Sequence, residues 1–516
     1  MSKPPISTTV TGNKSADSSA ASGADSEDLQ AIAKGGRTNV MGFVMRLIAR
    51  IPFLLIAGRL YGLDAVGRYA YALILIELFA LMCSLGEKRG LAQRLTEGEG
   101  DATNLVYDGL LTAFILSCIA GLVLFLMPAP LFPNGMNSEL DIWLVAAIPA
   151  FAMTEILLAA QAYRYDIATT VRARAIVEPW TISIMVGVFF FIPPTKDAGL
   201  ALAFITSIYA AFFTALWSFL RTYGLPKLWK PSWRYMVDMT TRALPLVGAD
   251  AVEWSTRRVD IFILGLFASP AAVAFYYMAQ QIASLPQKLK TSFEPILSPV
   301  ITKNLKKKNY GAIAAQVRQV GFWIIAVQLG IALALVIPGE AFMGLIGPQY
   351  VAGTGALAFL LAAEVAASMA VVSESVLVYV ARKRNFLISI GVIALQAVLT
   401  IALILLADHL DMTEPFKAAG AAMALMLALA VSSLVKALFL KKLLKAPVSN
   451  WRWALVTATA PAVVVGFLAT FLPEWMELLV GVPAILATYG YVIWKRGFGE
   501  EDRVLFRKNI GGDAKK

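Results

Sequence analysis

Asp250, Glu253, Arg257, Arg258 and Asp260 interrupt an otherwise apolar run, Arg242 to Phe267 (RALPLVGADAVEWSTRRVDIFILGLF). The run is long enough to cross a bilayer, since about 20 residues at 1.5 Å each span a hydrocarbon core of about 30 Å. At about 100° per residue, Asp250, Glu253, Arg257 and Asp260 fall within an arc of roughly 80° and form one stripe. Glu253 and Arg257 are an i,i+4 pair in the favourable order. A charge at the bilayer centre costs roughly 2.5–3.5 kcal/mol, so the stripe must face protein interior or water. Ion pairing within the fold would satisfy these groups. A polar pathway for a charged substrate would use them.

A second run carries similar chemistry near the N-terminus. In NVMGFVMRLIARIPFLLIAG, Arg46 and Arg50 are an i,i+4 pair on one face with Asn39 and Gly42. Displacing the chain by about 207 residues sets Arg50 on Arg257 and Tyr69 of GRYAYA on Tyr276 of AFYYMA. An offset of six spans keeps both copies in one orientation, which implies parallel repeats about an axis along the membrane normal. Arg46, Arg50, Arg257 and Arg258 are then expected to converge on one cavity near mid-bilayer. Arginine suits a phosphate ligand there because its planar fork donates in pairs and stays charged when desolvated. Arg46, about two turns from the expected cytoplasmic end, could equally snorkel to the interface. Glu77, Asp250, Glu253, Asp260 and Glu364 are the candidates for coupling-ion sites or for partners of the arginines.

The elements that must position these groups follow from composition. Of 516 residues 58% are hydrophobic and 15% are charged, against about 25% charged in soluble domains, so the chain reads as an all-α polytopic membrane protein. About 14 apolar segments are expected, at 40–61, 65–86, 104–127, 141–162, 171–192, 198–220, 242–267, 270–292, 313–337, 351–379, 384–407, 416–438, 453–472 and 475–494. They divide into an N-lobe (37–220), a C-lobe (221–440) and two further spans (441–495). The lobes, of six helices each, form a parallel pseudo-repeat around a central cavity.

Residues 1–36 are rich in Ser, Ala and Gly and read as a disordered cytoplasmic tail without the apolar core of a cleaved signal peptide; 496–516 read as a second cytoplasmic tail. Alternate loops collect most of the 45 Lys and Arg, while the others hold almost none beyond Lys196 and Lys417. That pattern puts both termini in the cytoplasm. A net charge of +11 therefore reports topology and does not call for nucleic acid. The stretch Leu305 to Val320 is expected to form an amphipathic helix on anionic headgroups.

Several function classes lack their residues. The two cysteines, Cys83 and Cys118, sit in adjacent spans and suggest no disulfide framework. The single histidine, His409, permits no metal cluster or Ser/His/Asp set, and no phosphate-cradling G-x-x-x-x-G-K-[ST] appears. The outer loops are too short to hold a sugar substrate for a membrane glycosyltransferase. A transporter without enzymatic activity and without a cofactor is the expectation.

Arg59-Leu-Tyr-Gly62 followed by Val66-Gly67-Arg-Tyr69 resembles the R-x-L-G-x-x-x-aromatic-G-x-Y signature after the first span of polysaccharide-type (Wzx-like) flippases of the multidrug/oligosaccharidyl-lipid/polysaccharide exporter superfamily. Ser84-Leu-Gly86 followed by Arg94 is similar to the end of their second span. Tyr61, Val66 and the charged Glu87-Lys88-Arg89 depart from that pattern.

The resemblance covers roughly residues 37–494. It implies alternating-access translocation of polyprenyl-diphosphate-linked oligosaccharide across a bacterial inner membrane, for lipopolysaccharide O-antigen or exopolysaccharide. Membrane lipids, a polymerase and chain-length proteins are the partners it implies. It also implies diphosphate contacts from cationic residues of the first and seventh spans, which match Arg50 and Arg257. A cation-coupled drug antiporter, a lipid II flippase and a polysaccharide polymerase are the other readings.

Overall fold

The computed structural model describes residues 45, 48–86, 90–91, 94–96, 101–226, 229–231, 233–291, 301, 304–305 and 307–499. These are helical, with no strand among them. In chain order the elements are α1 (48–60), α2 (Gly62–Cys83), α3 (Ala102–Leu126), α4 (Glu139–Tyr163) and α5 (Ile167–Phe191). There follow α6 (Gly199–Tyr223), α7 (Trp233–Phe267), α8 (Pro270–Thr291) and α9 (Tyr310–Val336). The rest are α10 (Pro348–Val380), α11 (Arg382–His409), α12 (Glu414–Leu444), α13 (Ala454–Ala469) and α14 (Glu474–Gly497).

Ten of these are long and apolar enough to cross a membrane: α2 to α6, α9 to α12 and α14. The other four differ for physical reasons. The 40–61 segment begins outside the described residues, and α13 has only 16 residues. Charged and amide side chains lower the hydropathy of α7 and α8, which also carry Pro245 and Pro286 within their lengths. The expected surface helix at 305–320 does not form as a separate element. Lys308 turns the chain at φ 53°, and from Tyr310 one straight helix of 27 residues runs to Val336.

The repeat is visible in the helix limits. Both α2 and α8 are 22 residues long, and they start 208 residues apart (62 and 270). The starts of α3 and α9 are separated by the same interval (102 and 310). These two intervals are one residue longer than the sequence match, and an offset of 208 would set Arg50 on Arg258 and Tyr69 on Tyr277.

The two halves meet where α2 packs on α8, and α7 lies between α2 and α11. One continuous core crosses this seam and includes Tyr69, Ile74, Ile261, Tyr276, Tyr277, Tyr350 and Leu361. Apolar burial contributes about 25 cal/mol per Å2 only where water is the alternative, so among spans in lipid close packing and polar contacts carry more of the specificity. A separate cluster joins α13 and α14 to α9 through Ile325, Leu455, Ala462 and Tyr489.

Candidate functional site

The sequence signature between α1 and α2 builds one end of the seam, the end that the charge distribution assigns to the outside. Gly62 takes φ +78°, which allows the sharp turn from α1 into α2. A Cβ on Gly67 would lie 1.8 Å from the Pro270 carbonyl oxygen, so only glycine lets α2 meet the start of α8 backbone to backbone. Side chains then donate to carbonyls across the seam: Arg59 Nη2 to Leu345 O at 3.0 Å and Gln349 Nε2 to Gly58 O at 2.5 Å. Asn134 Nδ2 reaches Gly265 O at 3.3 Å and Ala268 O at 3.4 Å. The space left among Gly67, Tyr71, Asn134, Gly265 and Pro270 is about 10 Å3, room for about one water. This end is closed.

Farther along the same helices the seam becomes charged. Arg258 of α7 donates through Nη1 to Gln280 Oε1 of α8 at 2.8 Å, and its Nη2 stands 3.5 Å from Glu77 Oε2 of α2. The two ionic side chains are 29% and 27% exposed, so the pair is reachable by water. Arg50 of α1 is exposed and reaches the Tyr277 hydroxyl, with Glu77 and Arg258 also within electrostatic range of that phenol. Tyr277 packs edge-on against Tyr69, ring centroids 6.5 Å apart. Two guanidinium groups, one from α1 and one from α7, thus lie within electrostatic range of one tyrosine, together with the Glu77 carboxylate.

The stripe expected on α7 splits. Glu253 and Arg257 pair at 3.5 Å and are 53% and 47% exposed. Two charges this exposed would need water rather than lipid around them if α7 crosses a bilayer. Asp260 instead turns into the core, fully buried, where it accepts from the Ile261 amide at 2.8 Å and from the Tyr276 hydroxyl. Glu364 of α10 is within electrostatic range of Tyr276. Asp250 is half-buried against the Gly86 turn that follows α2. Arg46 lies outside the described residues. The helix turns by about 100° per residue, so exchanging Arg257 for Arg258 moves the charge from the Glu253 face of α7 to the seam.

Tyr277 is a candidate that the sequence did not point to, since the repeat match fell on its neighbour Tyr276 and an aromatic in an apolar helix reads as core. Gln349 and Asn134 carried no signal. Their amides matter through carbonyls that are far away in sequence.

A further ionic group sits wholly within the first half. Arg174, on a π-type turn (Arg172–Val177) within α5, donates to Glu155 at 2.5 Å and to Glu178 at 2.8 Å, and lies over the Phe151 ring. Both carboxylates use their partner fully, as expected of structural ions in a membrane interior. Among the described residues no group of His, Cys, Asp or Glu is arranged to hold a metal ion.

These features define a multi-pass helical membrane protein with the fold of transporters. A lipid II flippase, MurJ, in an inward closed conformation aligns with TM-score 0.64 at 13% identity, covering 91% of this chain and 100% of that one. An inward-facing multidrug resistance MATE family transporter of the MOP superfamily aligns at 0.59 and 13% identity, covering 78% and 94%. A MOP superfamily transporter from Pyrococcus furiosus, whose binding pocket is described as of reverse polarity, aligns at 0.54 and 16% identity, covering 81% and 96%. These likenesses establish the MOP fold. No curated protein sequence matches the chain. The family described as "Polysaccharide biosynthesis protein" matches residues 33–304, more than half of the sequence, and the chain belongs to that family.

Proposed function

We propose that the protein flips a polyprenyl-diphosphate-linked oligosaccharide from the cytoplasmic to the outer leaflet of a bacterial inner membrane, for assembly of a cell-surface polysaccharide. The observation that carries this reading is the convergence of Arg50 and Arg258, from opposite halves, on Tyr277 in a seam closed at one end. A diphosphate cannot enter hydrocarbon, but it can sit between two guanidinium forks while its polyprenyl tail stays in lipid. The Glu253–Arg257 wall then gives the sugars a wet path.

Glu77 serves as the internal counter-ion of this site. Two guanidinium groups and one carboxylate leave one net positive charge, and an incoming diphosphate displaces Glu77 from Arg258. Loss of the 3.5 Å Glu77–Arg258 contact removes a polar tie between α2 and α7, which is how anion binding weakens the seam for rocking. With the cytoplasm negative, moving two negative charges outward gains about 4.6 kcal/mol per 100 mV, so the membrane potential drives export.

The test is flipping of a fluorescent polyprenyl-diphosphate oligosaccharide in proteoliposomes at zero and at −100 mV. Faster flipping at −100 mV supports the reading; equal rates would remove the potential as the drive, and no flipping above protein-free vesicles would remove the function. A cationic drug moved in its place would establish the antiporter reading, and lipid II moved in preference would establish the cell-wall reading.

A further inference from the structure

The cytoplasm-facing end of α12 carries a feature that the seam does not use. Leu427, Val431, Leu434 and Leu438 recur at spacings of four, three and four, and all are at least 40% exposed, so they form one outward face of the helix. Continuing the same spacing reaches Lys441, Lys442 and Lys445. From Leu427 to Leu438 the helix rises about 16 Å, close to half of a hydrocarbon core of about 30 Å. The apolar stripe is one leaflet long and ends in three ammonium groups.

The end is concave. Leu438, Lys441, Lys442, Lys445, Ala446 and Pro447 line a cavity of about 450 Å3. Lys445 ends the helix in a left-handed conformation, φ 50°, uncommon for a residue other than glycine. Among the described residues none of the three ammonium groups makes an ion pair, and no Asp or Glu occurs in the sequence between Glu414 and Glu474. The contrast is Lys436, two turns away on the same helix, which is 6% exposed and held by Glu374 of α10 at 3.0 Å. That lysine is satisfied within the fold, whereas the three at the helix end are not.

We infer that this face of α12 is a binding site for an anionic glycerophospholipid. Its phosphate sits among Lys441, Lys442 and Lys445, and one acyl chain lies along Leu438, Leu434 and Val431. A phosphate supplies the missing negative charge, and basic pockets beside membrane helices hold lipid headgroups by this chemistry. The stripe explains why a lipid is preferred over a free anion, since it adds apolar contact that inorganic phosphate cannot make.

The experiment is native mass spectrometry of the full chain in detergent, titrated separately with phosphatidylglycerol, phosphatidylcholine, inorganic phosphate and farnesyl diphosphate. Phosphatidylglycerol is expected to bind at least about tenfold more tightly than phosphatidylcholine or phosphate. Lys441→Gln/Lys442→Gln/Lys445→Gln is expected to abolish that preference, and Leu434→Ser/Leu438→Ser to weaken the lipid while leaving phosphate unchanged. Lys306→Gln/Lys307→Gln/Lys308→Gln removes as many charges from another basic loop and is expected to leave the preference intact. Equal losses from both triple lysine variants would reduce the effect to overall charge and overturn the site. Farnesyl diphosphate binding here more tightly than phosphatidylglycerol would overturn the assignment to a phospholipid.

Discussion

At the outer end of the seam, α2 and α8 meet through Gly67 against the Pro270 backbone, and neighbouring amide and guanidinium groups are spent on carbonyl oxygens. Ten residues farther along α2, about 15 Å, Glu77 faces Arg258 across a long, water-reachable contact with Arg50 nearby. The outer contacts run from side chains to backbone carbonyls beside a backbone-to-backbone approach, so they hold one geometry. The inner contact is ionic, long and partly exposed, so on the proposed reading it is the one exchanged for a ligand. One interface thus combines a gate and a site, separated by about three turns of helix.

The largest expected effect comes from breaking the inner region. Arg258→Ala leaves Glu77 and Gln280 without their partner and removes a phosphate fork; flipping in proteoliposomes should fall by about a hundredfold, while Arg258→Lys, which lacks the fork, recovers only part. Next comes the gate. Gly67→Leu forces a side chain into the Pro270 backbone, so the outer end cannot close. An Asn134→Cys reporter should then react with a membrane-impermeant maleimide many times faster than in the Gly67 background.

Glu77→Gln removes the internal counter-ion and should tighten farnesyl diphosphate binding about fivefold while slowing transport, a split that a merely structural contact would not give. Weaker binding in Glu77→Gln, matching Arg258→Ala, would contradict the counter-ion role. The smallest effect is expected at the cleft wall. Glu253 and Arg257 are about half exposed, and such pairs contribute roughly 0–1 kcal/mol, so Arg257→Ala should cost less than about fivefold in flipping rate. A loss as large as that of Arg258→Ala would move the anion site from the seam to the cleft.

Much of the fold could be read from apolar runs, because a membrane helix must satisfy its own backbone and so declares itself by length. Of the helices that deviate, α7 and α8 do so because charged and amide side chains and a proline interrupt their apolar runs. The family signature also acquires physical meaning. Gly62 provides a positive φ, Gly67 a backbone approach, Arg59 a bond to Leu345 and Tyr69 a ring against Tyr277. The placement of the α7 arginines was less legible. Few identities relate the two stretches, so the sequence match fell on 207, whereas α2 and α8 start 208 residues apart. At about 100° per residue, that one step separates Arg257, paired with Glu253, from Arg258, which faces Glu77. The splitting of the α7 stripe was not legible, since Asp260 turns inward only because Tyr276 waits on the neighbouring helix.

The most direct test of a shared anion site is a double-mutant cycle on farnesyl diphosphate affinity with Arg50→Ala, Arg258→Ala and the combined variant, measured by isothermal titration in detergent. The two guanidinium groups acting on one diphosphate predict that each single change weakens binding at least about tenfold and that the combined loss departs from the sum by more than about 0.5 kcal/mol. Binding unchanged by either substitution, or losses that simply add, would show that the two halves do not hold one anion between them.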